Sequence, residues 1–140
     1  MPTFVFSDPG CYDITLIIGN SFGNDTITKT CFIEVYPQPE PAFTASDTVG
    51  CVPLDVTFTD ASIANSPGGN TDWLWILSNT FQSTQQNPSC TFTDVGDTIS
   101  VFLEVTNSFG CIATEVFPNV VTPLEAPIAD FVADSNAACE

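Results

Sequence analysis

A four-residue string occurs twice in this chain, and the spacing between its copies limits what the chain can fold into. Asn20-Ser21-Phe22-Gly23 returns as Asn107-Ser108-Phe109-Gly110, an offset of 87 residues. The agreement extends in both directions. Pro2-Thr3-Phe4-Val5-Phe6-Ser7-Asp8-Pro9-Gly10 aligns with Pro88-Ser89-Cys90-Thr91-Phe92-Thr93-Asp94-Val95-Gly96, with one residue inserted after Gly96. Val35-Tyr36-Pro37 aligns with Val121-Thr122-Pro123, and Phe43-Thr44-Ala45 through Cys51 aligns with Phe131-Val132-Ala133 through Cys139. These collinear matches define a unit of about 87 residues. On that frame residues 1–37 are the C-terminal part of a first copy, 38–123 a complete copy, and 124–140 the first strand of a third. The boundaries fall at Pro37-Gln38-Pro39-Glu40-Pro41 and Pro123-Leu124-Glu125-Ala126-Pro127. Each Pro fixes its own φ and biases the residue before it toward extended backbone, so these links are expected to be semi-rigid spacers.

Inside the complete copy, apolar and polar residues alternate at period two, the pattern of half-buried strands. Leu54, Val56 and Phe58 share one strand face, Trp73, Trp75 and Leu77 a second, and Ile99, Val101, Leu103 and Val105 a third. The first copy repeats the third face as Tyr12, Ile14, Leu16 and Ile18. Turn-forming runs separate the strands at Ser66-Pro67-Gly68-Gly69-Asn70, at Asn79-Thr80 and at Asn107-Ser108-Phe109-Gly110. About seven short strands in fewer than about 90 residues predict a β-sandwich, so the fold class is all-β, immunoglobulin-like repeats in tandem. A unit this small buries only about 60% of its extended surface, which makes the large rings, Trp75 above all, the expected anchors of its core.

Charge excludes two classes of partner. Seventeen Asp and Glu face a single basic residue, Lys29, with no His, for a net charge of -16. Phosphate backbones and anionic membrane surfaces are both recognised through Lys and Arg clusters, so neither nucleic acid nor a membrane surface is an expected partner. No run of 18 apolar residues appears, so no membrane insertion is expected. Six cysteines without a CxxC pair, in a chain lacking His, point to disulfides rather than zinc, and hence to an oxidising, extracellular compartment.

The complete copy resembles PKD domains, the immunoglobulin-like modules named after polycystin. Phe43-Thr44-Ala45 is similar to the family's first strand, and Gly50-Cys51-Val52-Pro53-Leu54-Asp55-Val56-Thr57-Phe58-Thr59-Asp60 to its second. Gln86-Asn87-Pro88-Ser89, Val95-Gly96 and the run from Val101 to Asn107 are similar to the later strands. The family's Trp-Asp-Phe-Gly-Asp-Gly motif is replaced by Trp75-Ile76-Leu77-Ser78-Asn79-Thr80, which lacks both acidic residues and both glycines. The resemblance implies a stalk, spacer or adhesin body in a large bacterial surface protein, or a module beside the catalytic domain of a secreted hydrolase.

Catalysis is not expected, because without His no Ser-His-Asp or Cys-His pair can activate a nucleophile. The carboxylates of Asp8, Asp13, Asp60, Asp72, Asp94 and Asp97 sit at strand ends and turns, where Asp is favoured for turn hydrogen bonds alone. No cofactor is expected unless it is calcium, which needs six to eight oxygens; Asp94 and Asp97 around Val95-Gly96, mirrored by Asp8, are the candidate ligands. Cys11, Cys31, Cys51, Cys90, Cys111 and Cys139 are the disulfide candidates. In an immunoglobulin-like topology Cys51 and Cys111 fall at opposite ends of one unit, beyond the roughly 7 Å between Cα atoms that a bridge allows. Cys51 is therefore expected to bond to the Cys111 equivalent of the following unit; Cys90 with Cys111, or free buried thiols, are the rival readings. Asp-Thr before a β-branched residue, at Thr26, Thr48 and Thr98, resembles an O-glycosylation motif of some gliding-type bacteria, although Thr is also simply a good strand residue.

The function these features imply is an extracellular structural or adhesive array whose partners are neighbouring repeats, glycans or other surface proteins. The alternative is a glycan-binding or spacer module of a secreted hydrolase. Phe22 and Phe109 recur at one spot of each copy, as turn packing or as a repeated contact surface.

Overall fold

A computed structural model describes residues 3–77 and 81–132. All of its regular structure is β. The first two strands, β1 (Gly10–Asn20) and β2 (Gly23–Val35), form an antiparallel hairpin that makes its own two-stranded sheet. Eight more strands follow: β3 (Phe43–Ala45), β4 (Val49–Cys51), β5 (Leu54–Asp60), β6 (Asn70–Leu77), β7 (Phe81–Ser83), β8 (Ser89–Phe92), β9 (Ile99–Asn107) and β10 (Ile112–Leu124). They form a five-stranded sheet ordered β4-β10-β9-β6-β7 and a three-stranded sheet ordered β3-β5-β8.

The alternation in the sequence decides what lies between these sheets. Val56 and Phe58 of β5, Trp75 and Leu77 of β6, and Val101, Leu103 and Val105 of β9 are all buried, with Val121 closing the core from β10. Their polar neighbours in sequence point the other way, as a pleated strand requires. Three rings meet around Phe43, whose centroid lies 5.5 Å from Trp75, 5.7 Å from Phe58 and 4.7 Å from Phe117, each near edge-to-face. Such pairs add about 0.5–1.5 kcal/mol beyond the area they bury. The Trp75 indole has its own hydrogen bond, donating from Nε1 to the carbonyl of Gln85 at 2.9 Å.

The structure departs from the sequence expectation at three places. The expected second strand over 50–60 is two strands in different sheets: β4 pairs in parallel with β10, and β5 pairs with β3 and β8. The chain crosses between sheets at Val52-Pro53, where Pro has no N–H for a ladder. The last strand runs to Leu124, which pairs with Cys51, so the second Pro-rich link begins inside the strand. The repeat alignment after the turn also changes. Tyr12 pairs with Ile33 and Ile14 with Lys29 in the hairpin, as Ile99 pairs with Val121 and Val101 with Phe117 in β9–β10. The offset is thus 87 on the first strand and 88 on the second, which replaces Val35 with Ile33 as the counterpart of Val121. The expected Asn79-Thr80 turn lies outside the described residues, and residues 125–132 of the third segment form no strand.

The hairpin differs from its counterpart in what covers it. Leu103 in β9 is fully enclosed, whereas its equivalent Leu16 is 58% exposed, and Ile18, Ile27 and Phe32 are open as well. The single cation of the chain sits on that face, Lys29 Nζ lying 4.7 Å from the centre of the Phe32 ring.

Candidate functional site

The two hairpins share one irregularity, and it is fastened in two different ways. Both ladders slip between the pairs just described, Tyr12/Ile14 in the first and Phe117/Val121 in the second. Each slip places one residue of the returning strand in the left-handed region, Cys31 at φ 48 and Asn119 at φ 55. In the first hairpin Cys31 is bonded to Cys11, with Cα atoms 4.9 Å apart, and its N–H donates to Asp13 Oδ1 at 2.8 Å. In the second, the counterparts of Cys11, Cys31 and Asp13 are Thr98, Asn119 and Ser100. Thr98 Oγ1 donates to Asn119 Oδ1 at 2.5 Å, and the Asn119 N–H donates to Ser100 Oγ at 3.4 Å. A covalent bridge in one copy thus occupies the place of a side-chain hydrogen bond in the other.

The repeated Asn-Ser-Phe-Gly turns are also built alike but not identically. Asn20 Oδ1 accepts the Phe22 N–H at 2.8 Å, and Asn107 Oδ1 accepts the Phe109 N–H at 3.1 Å. The second turn is one residue longer. Asn107 Oδ1 also takes the Cys111 N–H, and Gly110 adopts φ 77, which a residue with a Cβ rarely reaches. That extra residue accounts for the change of offset from 87 to 88. Asn107 is buried, the one polar side chain so enclosed among the described residues. Sequence repetition identified these turns; the burial of Asn107 had no signal of its own.

The cysteines are sorted by the sheets. Cys11 and Cys31 make the bridge, a pairing the sequence did not single out because a ladder slip brings them together. The Cys90–Cys111 pairing does not form. Cys90 lines a cavity with Phe81, Phe92 and Ile99 at the start of β9, whereas Cys111 follows the end of that nine-residue strand. At about 3.3 Å per residue the gap far exceeds bridging distance. Burial pushes the Cys90 thiol above its usual value. Cys51 is exposed and free beside the Glu125 carbonyl, at the opposite end of the unit from Cys111, which is also free. Cys139 lies outside the described residues.

Asp94 and Asp97 lie exposed in the loop before β9, and Asp8 in the segment before β1. Among the described residues no group of three or more His, Cys, Asp or Glu gathers as a metal site. Thr26 and Thr48 are exposed, Thr26 within β2 and Thr48 just before β4, while the Thr98 hydroxyl is engaged by Asn119.

No family model matches the sequence, and no curated protein does. Solved structures do resemble the fold. The PKD1 domain of the Vibrio cholerae metalloprotease PrtV superposes with a TM-score of 0.51 at 27% identity, covering 61% of this chain and 99% of that domain. The PKD1 domain of Vibrio anguillarum Epp superposes with a TM-score of 0.50 at 24% identity, covering 63% of this chain and 99% of that one, and bears on the fold alone. Two facing sheets, a Trp75-centred core and this likeness together make the sandwich a PKD-like domain of the immunoglobulin-like, all-β class.

Proposed function

We propose that this chain is part of an extracellular, non-catalytic array of PKD-like repeats, serving as the stalk, filament or adhesin body of a large bacterial surface protein. The observation that carries this reading is the hairpin of β1 and β2. It reproduces the pairing, the slip and the left-handed residue of β9 and β10, yet among the described residues no sheet opposes it. A two-stranded hairpin is marginal alone, so it reads as the closing hairpin of another unit. The disulfide and the likeness to a domain of a Vibrio cholerae metalloprotease support export.

Electron microscopy of the natural polypeptide spanning several units tests this. Evenly spaced beads in an extended line are expected; a chain folded into one particle of irregular shape refutes it. The likeness to a metalloprotease domain keeps a second reading, a spacer beside a secreted hydrolase, which predicts a catalytic domain on the same polypeptide and proteolytic activity in the whole protein.

A further inference from the structure

The Pro-rich segment entering the sandwich is gripped along its length. Tyr36 stacks on Phe109 with ring centres 4.2 Å apart and planes 19° from parallel. Asn107 Nδ2 donates to the carbonyls of Pro37 at 3.4 Å and Ala64 at 3.2 Å. Asn65 Nδ2 donates to the Gln38 carbonyl and to Glu40 Oε1, both at 3.0 Å, from a residue that itself adopts φ 53. Pro39 is buried, and Glu40 and Ile63 exchange two backbone hydrogen bonds at 2.8 and 3.0 Å. A free spacer would leave the carbonyls of 37 and 38 to water. Here two asparagine amides from separate loops take them in succession, and one of those asparagines is the buried Asn107.

The first copy supplies an internal comparison. Its turn has the same Asn-to-Phe hydrogen bond, and among the described residues no ring stacks on Phe22, which is 97% exposed against 55% for Phe109.

We propose that the loops carrying Asn65 and Asn107-Phe109 form a docking groove for the aromatic–Pro linker of the preceding unit, setting the angle at which one repeat enters the next. The proposal rests on the tandem reading above. The segment the groove takes carries an aromatic ring immediately before Pro and offers two successive carbonyls; the Phe22 turn presents the same ring platform to a segment of this kind.

Nuclear magnetic resonance of the whole chain tests it. In Phe109→Ala the Tyr36 ring signals are expected to lose their ring-current shift. Backbone order over residues 36–38 should fall to that of free chain, while β5, β6 and β9 keep their hydrogen-exchange protection. Tyr36→Ala, outside the sandwich, should loosen the linker equally and reads the same contact if Phe109→Ala fails to fold. The double variant should add nothing to either. Phe22→Ala should leave the linker as in the parent. An ordered linker in both Phe109→Ala and Tyr36→Ala, or equal loosening in Phe22→Ala, overturns the groove. A loose joint would still leave the array standing, because the array is tested by the beaded form of the longer polypeptide and not by the stiffness of its joints.

Discussion

Trp75 concentrates the packing of the sandwich in one side chain. It is fully buried, touches the aromatic cluster around Phe43, and has its indole N–H satisfied. Trp75→Ala is expected to cost about 3–5 kcal/mol, read as a lower midpoint in denaturant unfolding. On a half-buried ring, the Tyr36 phenol is pushed above its usual value near 10.0, first by its hydrogen bond to Glu34, then by desolvation and by the Glu34 charge. The folded chain holds that proton more tightly than the unfolded one. The contact is therefore complete below the usual value and is lost as pH rises through the raised one. Glu34→Gln should bring the titration back down, seen in phenolate absorbance with Tyr12→Phe in both proteins to leave a single tyrosine.

The hairpins make the same comparison among elements. Without an opposing sheet, β1 and β2 depend on the bridge across 20 residues of sequence, which constrains the unfolded loop by about 3 kcal/mol. Reduction should therefore melt the hairpin, followed through the amide signals of β1 and β2, while the sandwich signals persist. Because Thr98 and Asn119 hold the counterpart positions, the variant T98C/N119C should oxidise to a bridge, detected as the loss of two hydrogens by mass spectrometry. Period two made the long strands legible: Val56 and Phe58, Trp75 and Leu77, and Val101 to Val105 all face where alternation put them. Three-residue strands such as β4 are too short to carry a period, so the crossing at Pro53 was not legible. Nor was the Cys11–Cys31 pairing, since a ladder slip leaves no mark in residue type. The grip of Asn65 and Asn107 on the Pro-rich link was not legible either, because it depends on loops distant in sequence.

At the scale of the molecule, the hydrophobic core of the described residues is confined to the sandwich, so the sandwich is expected to fold by itself. Residues 38–124 alone should show one cooperative thermal transition close to that of the sandwich in the full chain, measured by circular dichroism. A non-cooperative melt would mean that the hairpin is part of the same folding unit. The pairing of β4 with β10 has a further consequence. These strands lie near the entry and the exit of the unit and run parallel, tied by the Thr122 N–H to the Thr48 carbonyl at 2.8 Å and the Val52 N–H to the Leu124 carbonyl at 2.9 Å. Tension between the two ends of the unit would drag them past each other lengthwise, loading these hydrogen bonds together rather than unzipping them singly. Pulling on the sandwich from its two ends would thus be borne along its sheets rather than at their edges.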